Sequence, residues 1–435
     1  MVQIKPISLR RNFSWTFVGN IVYAASQWGM LVVLAKLGSP EKVGQFTLGL
    51  AVTAPVFMLT NLQLRAIQAT DAKNEYFFGD YLGLRLIATF LALLIIVGIT
   101  VTSGYRYEVS LVILAIALSK AIESISDVFF GLIQHHERMD RISISLMIKG
   151  ILSVLMLGGV FYLTKTVLGG VIGLTVAWLL VLFVYDIASG AMLLNSNHSS
   201  ESKTENVSKK LELENKLRPR WHLKTLKKLL WLSLPLGLVM MLNSLNINIP
   251  RYFIEHYLGE HDLGIFSALS YLMVAGNLVV SALAQSASPR LAKYYAAGNV
   301  TAFCNLLIKL LGIGTLVGGT AVVVALVAGR QILTLLYRSE YAQDVDVFIW
   351  LMVAAGIGYV ASFLGYGITA ARYFRIQIPL SLVVTASSAM AGFWLIPSQG
   401  LRGAALSLIL SSIIQVVISL VVIIQAIYKI SGMKE

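Results

Sequence analysis

A chain of 435 residues that is 57% hydrophobic and only 13% charged is too apolar for a soluble globular fold, which carries roughly 25% charged side chains. The net charge of +13 does not point to nucleic acid, because the Lys and Arg residues are scattered between long apolar runs instead of gathering on one domain. The lone cysteine, Cys304, excludes an intramolecular disulfide.

A bilayer core of ~30 Å takes about 20 apolar residues per helix. After a basic start, the run from Phe13 to Leu37 is too long for a signal-peptide core and reads as the first span. Further spans are predicted near 43–67, 78–102, 108–133, 142–164 and 168–194. A polar interval, Asn195 to Lys228, follows with nine Lys/Arg, four Glu and no long apolar run, so it cannot bury enough surface to fold alone. Six more spans are predicted near 226–254, 262–288, 301–328, 346–371, 376–396 and 401–428, with Gln331–Tyr341 as a short interfacial turn on the outer side. The reading is an all-α polytopic membrane protein of 12 transmembrane helices: a six-helix lobe over 1–194, a basic linker over 195–225 and a second six-helix lobe over 226–435.

Placing the N-terminus inside puts 22 Lys/Arg in inner loops and 8 in outer loops and helix ends, so both termini and the linker are expected in the cytoplasm. Six spans per half return each half to the same side, which makes the repeats parallel, with their axis along the membrane normal. Leu37-Gly38 through Gly44-Gln45-Phe46 closes the first hairpin, and Leu258-Gly259 through Gly264-Ile265-Phe266 closes its counterpart. Leu168-Gly169-Gly170-Val171 and Leu401-Arg402-Gly403-Ala404 likewise open the sixth and twelfth spans. A glycine turn would account for either match alone; two matches at corresponding ends point to a duplication.

The stretches LGSPEKVGQFTLGLAVTAP and LQLRAIQATD, the PRYFIEHYLG…LGIFSAL block and GLRGAALSL together resemble the bacterial polysaccharide flippases that move O-antigen and capsule repeat units. Their superfamily also contains multidrug-and-toxin extruders and the lipid II flippase. The resemblance covers nearly the whole chain. It implies two six-helix lobes related by a pseudo-two-fold axis around a central cavity, in the bacterial cytoplasmic membrane. The implied cargo is an oligosaccharide joined by pyrophosphate to a polyprenyl lipid. Candidate partners are that polyprenyl-linked oligosaccharide, membrane lipids, and a polysaccharide polymerase with its co-assembly proteins; no nucleic acid is expected. A drug extruder of the same fold is the alternative. A membrane glycan polymerase or ligase would need a sizeable outer loop, and the outer loops here are short. An enzyme is not expected.

No phosphate-binding GxxxxGK[ST] loop is present, so uphill work would come from an ion gradient or the potential. There is no HExxH, and His135-His136-Glu137 reads as solvated surface; neither metal nor cofactor is expected. Charges within spans are the informative residues, because each costs at least ~2.5–3.5 kcal/mol at mid-helix. Lys120, Glu123 and Asp127 lie at i, i+3, i+7 on span four, and Lys149 on span five falls at a depth similar to Asp127. They form either an ion-paired hairpin or a coupling site; Asp186 and Lys309 are equally open. Asn61, Arg65 and Gln68, spaced i, i+4, i+7, are expected on one face of span two, and a shift of 220 residues lands on Ser281, Gln285 and Ser288. Arg65 could fork onto a pyrophosphate or simply snorkel to headgroups. Asn20 and Gln27 on span one, and Asn246 and Arg251 on span seven, are further polar positions that either line a lumen or glue helices. Pro235 and Pro250 would let span seven bend.

Overall fold

The computed structural model describes residues 9–71, 73–196 and 217–431. Helices α1 (Leu9–Leu37), α2 (Pro40–Thr60), α3 (Leu64–Thr70), α4 (Phe78–Thr102), α5 (Tyr107–His135), α6 (Met139–Thr164) and α7 (Val167–Val181) follow one another. A π-turn at Leu182–Asp186 joins α7 to α8 (Ile187–Ser196). Beyond the polar interval come α9 (Leu223–Leu258), α10 (Glu260–Tyr271), α11 (Met273–Ala296), α12 (Val300–Leu336), α13 (Val345–Ala370) and α14 (Gln377–Ser431). Among the described residues, 11 helical stretches are long and apolar enough to cross a bilayer. The last of them breaks at Gly400 (φ 60°, ψ −137°), which divides it into two and gives the predicted twelve.

Span α4 packs mostly small residues inward and turns large ones outward. On α4, Ala88, Ala92, Ile96 and Thr100 recur every fourth residue and are buried, while Phe90, Leu94, Val97 and Val101 are exposed. Lipid tails are as apolar as leucine, so close helix contact rather than burial of oil holds such a bundle together.

Two expectations need correction. Span two is not one helix: α2 stops at Thr60, Leu62 and Gln63 take left-handed conformations (φ 53° and 51°), and α3 restarts at Leu64. Asn61 therefore lies in the turn, off the face that carries Arg65 and Gln68. The apolar face of α12 continues through Gly329 and Leu333 to the buried Tyr337, so Gln331–Leu336 is helix and the turn lies at 337–344. Most of the predicted linker, 197–216, lies outside the described residues. Its end is seated on α4: Arg220 N–H donates to Gly79 O (2.8 Å), and its guanidinium lies over Phe77 (4.4 Å) beside Asp80 (3.9 Å). Gly79 and Gly83, one turn apart, leave room for that backbone.

By packing, the chain divides into two units. Unit 1 comprises the residues up to Leu37 and Gly49–Met241; unit 2 comprises Gly38–Leu48 and the chain from Leu242 on. The divisions fall at the end of α1, inside α2 and inside α9. The core of unit 2 centres on Val280, Ala284, Leu291, Phe303, Leu307, Phe363 and Leu364, contributed by α11, α12 and α13.

Within unit 2 the two hairpin motifs meet each other. A Cβ on Gly44 would strike the carbonyl of Glu260, and one on Gly264 would strike the carbonyl of Pro40. Adding 220 to 44 and 40 gives 264 and 260, so each motif makes the same contact on the other, as two-fold-related partners do. Gln45 Nε2 donates to Glu260 Oε2 (2.8 Å) at this crossing, and Phe46 and Phe266 are both sealed beneath it. Gly44→Val or Gly264→Val is expected to destabilise the protein by about 1–3 kcal/mol or more, because the obstacle is backbone that cannot step aside. Thermal denaturation of the purified variants in detergent, with Gly312→Ala as a control in open space, checks this.

Candidate functional site

A charge inside a membrane helix must find a partner, because an isolated ion there is severely penalised. Unit 1 solves this with three clusters. In the first, α4 carries Arg85, fully buried, against Asp127 of α5: Nη2 donates to Oδ2 at 3.0 Å. The other arm of Arg85 donates to Asn61 Oδ1, which also accepts from Ser124 Oγ (2.8 Å). Arg65 of α3 approaches the second oxygen of the same carboxylate, Nη1 to Oδ1 3.7 Å, and its Nε donates to Gln134 Oε1 (2.9 Å). Its guanidinium lies 5.4 Å from the Phe130 ring centre, with 31% of the side chain exposed. Gln68 is buried against the α5 backbone, its amide nitrogen 3.0 Å from Val128 O and its oxygen 3.3 Å from Leu132 N in the orientation that satisfies both.

In the second cluster Lys120 Nζ donates to Glu123 Oε2 (2.7 Å) and Tyr23 of α1 donates to Oε1 (2.9 Å). The Lys120 ammonium also lies 5.3 Å from the Trp178 ring centre. The third is sealed: Lys149 Nζ and Asp186 Oδ2 are 2.9 Å apart at 2% and 0% exposure, and Ser145 Oγ donates to Asp186 Oδ1 (2.5 Å). The π-turn after α7 carries Asp186 to this position.

The Asp127–Lys149 pair across the α5–α6 hairpin, one of the two alternatives for these charges, does not form. Similar depth on antiparallel helices does not set the direction in which a side chain points: Asp127 faces α3 and α4, and Lys149 faces the π-turn. Asn61, Arg65 and Gln68 do converge on α5, but through the α2–α3 break rather than as one helical stripe. Arg85 was not among the predicted site residues. An arginine well inside a run with mean hydropathy 2.5 was the signal that marks it. Across the three clusters, Arg65, Arg85, Lys120 and Lys149 face Asp127, Glu123 and Asp186. Four cations meet three carboxylates, and the surplus positive charge resides on Arg65, the member with the longest contact.

In unit 2 the counterpart stripe is open. Gln285 and Ser288 line a shallow, open groove of about 400 Å³ with Pro289, Ala292, Tyr366, Thr369, Ala370 and Arg372. Ser281 lies one turn earlier on α11, half-buried. Asn246 and Arg251 are not part of that lining; they sit on α9, where Arg251 Nη1 donates to Asn248 Oδ1 (3.0 Å). On α1, Asn20 is exposed and Gln27 half-buried, on either side of the Tyr23 that bonds Glu123. Among the described residues no three His, Cys, Asp or Glu side chains converge as metal ligands.

Twelve membrane spans with charges paired at depth define a polytopic membrane protein, and its fold is that of the multidrug exporters. An inward-facing multidrug resistance MATE family transporter of the MOP superfamily superposes with TM-score 0.65 at 16% identity, covering 96% of this chain and 99% of that one. A point variant of the Vibrio cholerae MATE transporter VcmN gives 0.63 at 13%, covering 97% and 96%. A Pyrococcus furiosus MOP superfamily transporter gives 0.57 at 18%, covering 97% and 95%. The chain belongs to the polysaccharide biosynthesis protein family, whose model matches residues 9–295. It is 31% identical over 412 residues to the capsular polysaccharide biosynthesis protein CapF of Staphylococcus aureus, covering 94% of this chain and 97% of that one.

The sealed pair gives a direct test. Asp186→Asn would strand Lys149 in a dry site and is expected to destabilise by about 3–5 kcal/mol, while Lys149→Leu with Asp186→Leu recovers most of that loss. Thermal denaturation in detergent distinguishes the two. Exchange of Asp127 with Lys149 is expected to rescue neither single variant, since each residue's partner lies elsewhere.

Proposed function

We propose that the protein flips polyprenyl-pyrophosphate-linked oligosaccharide repeat units from the inner to the outer leaflet of the bacterial cytoplasmic membrane, by alternating access, with both termini in the cytoplasm. The family and the capsule-biosynthesis relative support a polysaccharide cargo. The observation that carries the reading is the sharing of Asp127 between two guanidiniums. Arg85 takes the short contact and is sealed, which leaves Arg65 loosely held and one-third exposed. A pyrophosphate that sheds hydration on entering a low-dielectric cavity recovers it from such a fork, through charge-assisted hydrogen bonds worth about twice neutral ones. The extruder reading shares the fold, but a site for cationic drugs needs surplus carboxylate, and here the surplus is positive. No covalent step is assigned to the protein.

Two measurements test this. In a flippase-null strain, Arg65→Ala is expected to reduce glycan export at least roughly tenfold at normal membrane abundance, and Arg65→Lys, which keeps the charge without the fork, to fall between. Wild-type export by Arg65→Ala removes the residue from the cargo's path, and equal activity of Lys and Arg reduces it to a simple charge. For orientation, in a Cys304→Ala background, Ser339→Cys is expected to label from outside intact cells and Ala297→Cys not to; the reverse pattern inverts the topology.

A further inference from the structure

The two units treat their cations differently. In unit 1 each of the four cations deep within the spans faces a carboxylate. In unit 2 no Asp or Glu occurs anywhere from Leu263 to Ser339, nor from Val347 to Lys434. The acids of the α12–α13 turn, Glu340, Asp344 and Asp346, lie at one end, where Asp346 pairs with Arg402 and Glu340 with His261 (3.1 Å). The opposite end is formed by the end of α11, the start of α12, the end of α13 and the start of α14. It presents Arg290, Lys293, Arg372 and Arg375, all exposed and without an acid in these segments to neutralise them, with Lys309 further along α12.

The space of about 400 Å³ is a shallow, open groove at that basic end. Its walls are largely apolar, from Pro289, Ala292, Ala370 and the Tyr366 ring, with Gln285, Ser288 and Arg372 as polar fittings. No described residue hydrogen-bonds the side chains of Gln285, Ser288 or Arg372. Thr369, by contrast, is already engaged, donating to Gly365 O (2.9 Å) and accepting from Gln377 Nε2 (3.0 Å).

Arg372 also occupies a left-handed backbone position. Helix α13 ends in a Schellman turn: Tyr373 N–H donates to Ile368 O (3.2 Å) and Arg372 N–H to Thr369 O (3.0 Å). That places Arg372 at the left-handed position (φ 63°), where glycine is the unstrained choice and any Cβ crowds the neighbouring carbonyl. Glu137 ends α5 in the same Schellman geometry, so what sets Arg372 apart is its side chain, a cation at the rim of a site without carboxylates.

We propose that this groove is a binding site for a lipid-borne phosphate, with the phosphate on Arg372, flanking oxygens on Gln285 and Ser288, and the first apolar segment of the lipid along Pro289, Ala292 and Ala370. An anionic phospholipid headgroup and a polyprenyl phosphate share this chemistry. The site is independent of whether the protein flips glycans, because its occupancy is read by binding.

The full-length protein in nanodiscs, with thermal stability and lipid retention in native mass spectrometry as readouts, tests it. Phosphatidylglycerol or a polyprenyl phosphate, added to phosphatidylcholine discs, is expected to stabilise the wild type saturably, with displacement by inorganic pyrophosphate. Arg372→Gly is the decisive variant: it relieves the left-handed strain, so it should fold at least as stably without the ligand, yet bind roughly ten- to hundred-fold more weakly through loss of a charge-assisted contact. Gln285→Ala should weaken binding less, and Lys309→Ala should leave it intact. Stabilisation by one lipid alone identifies the source and supports the site. An Arg372→Gly response equal to wild type, an equal loss in Lys309→Ala, or no response of the wild type to either lipid overturns the proposal.

Discussion

Asp127 ties α3, α4 and α5 of unit 1 together, because one carboxylate answers two guanidiniums in a region where an unpaired charge is costly. Arg85 is too deep to be hydrated, so Asp127 and Asn61 must both reach it. Asn61 can do so only because α2 ends at Thr60, and Arg65 meets the far side of the carboxylate only because the chain restarts as α3 after two left-handed residues. Left-handed non-glycine residues each cost of order 1–2 kcal/mol. The break is therefore coupled to the network: the strain is offset by hydrogen bonds and ion pairs that a continuous helix could not make. Irregular backbone at membrane depth is tolerated where protein groups satisfy it, and this turn meets that condition.

The reciprocal contact of Gly44 with Glu260 and Gly264 with Pro40 is the clearest physical mark of the duplication. A shift of 220 residues maps each contact onto the other, which two unrelated glycine turns would have no reason to obey. The same shift relates Asn61, Arg65 and Gln68 to Ser281, Gln285 and Ser288, and here the halves have diverged. The first set is closed by partners on α4 and α5, whereas Gln285 and Ser288 line an open groove. Divergence is concentrated in the polar positions while the glycine crossing is retained, because a helix crossing has one steric solution and a polar position has many partners to choose from.

Span number, helical class and the hairpin repeat were legible in the sequence because hydropathy and glycine spacing act locally. The pairing of charges was not. Depth along a helix can be counted from the chain, but the direction in which a side chain points depends on neighbours that are distant in sequence. Asp127 met Arg85 and Arg65 instead of Lys149, and Lys149 met Asp186, which a π-turn rotates into place. The break at Leu62–Gln63 was invisible for a related reason. Neither residue carries a turn signal, and the left-handed geometry is imposed by packing: Leu62 and Leu64 are buried, and Gly237 leaves room for the Leu59 carbonyl. The end of the linker, too, is placed by docking, through Arg220 on α4, a contact between segments far apart in the chain.

The sign of the uncompensated charge separates cargo classes more sharply than the fold does. Exporters of one architecture can move cations or anions, because rigid helical lobes impose little chemistry of their own. A cationic drug leaves a carboxylate-rich cavity neutral, whereas an anionic headgroup requires the reverse. In the three charge clusters within the spans of unit 1 four cations meet three carboxylates, and at the basic end of unit 2 exposed cations have no acid within long stretches of chain. Fixed positive charge in a low-dielectric setting is unfavourable unless something neutralises it. Arg65 and Arg372 both keep open surface, so neither is sealed against a partner from outside the protein. Sealed pairs such as Lys149–Asp186 have no such freedom and act on the fold alone. On the proposed function, the sealed charges hold the helices together and the open ones are those an anionic headgroup would meet.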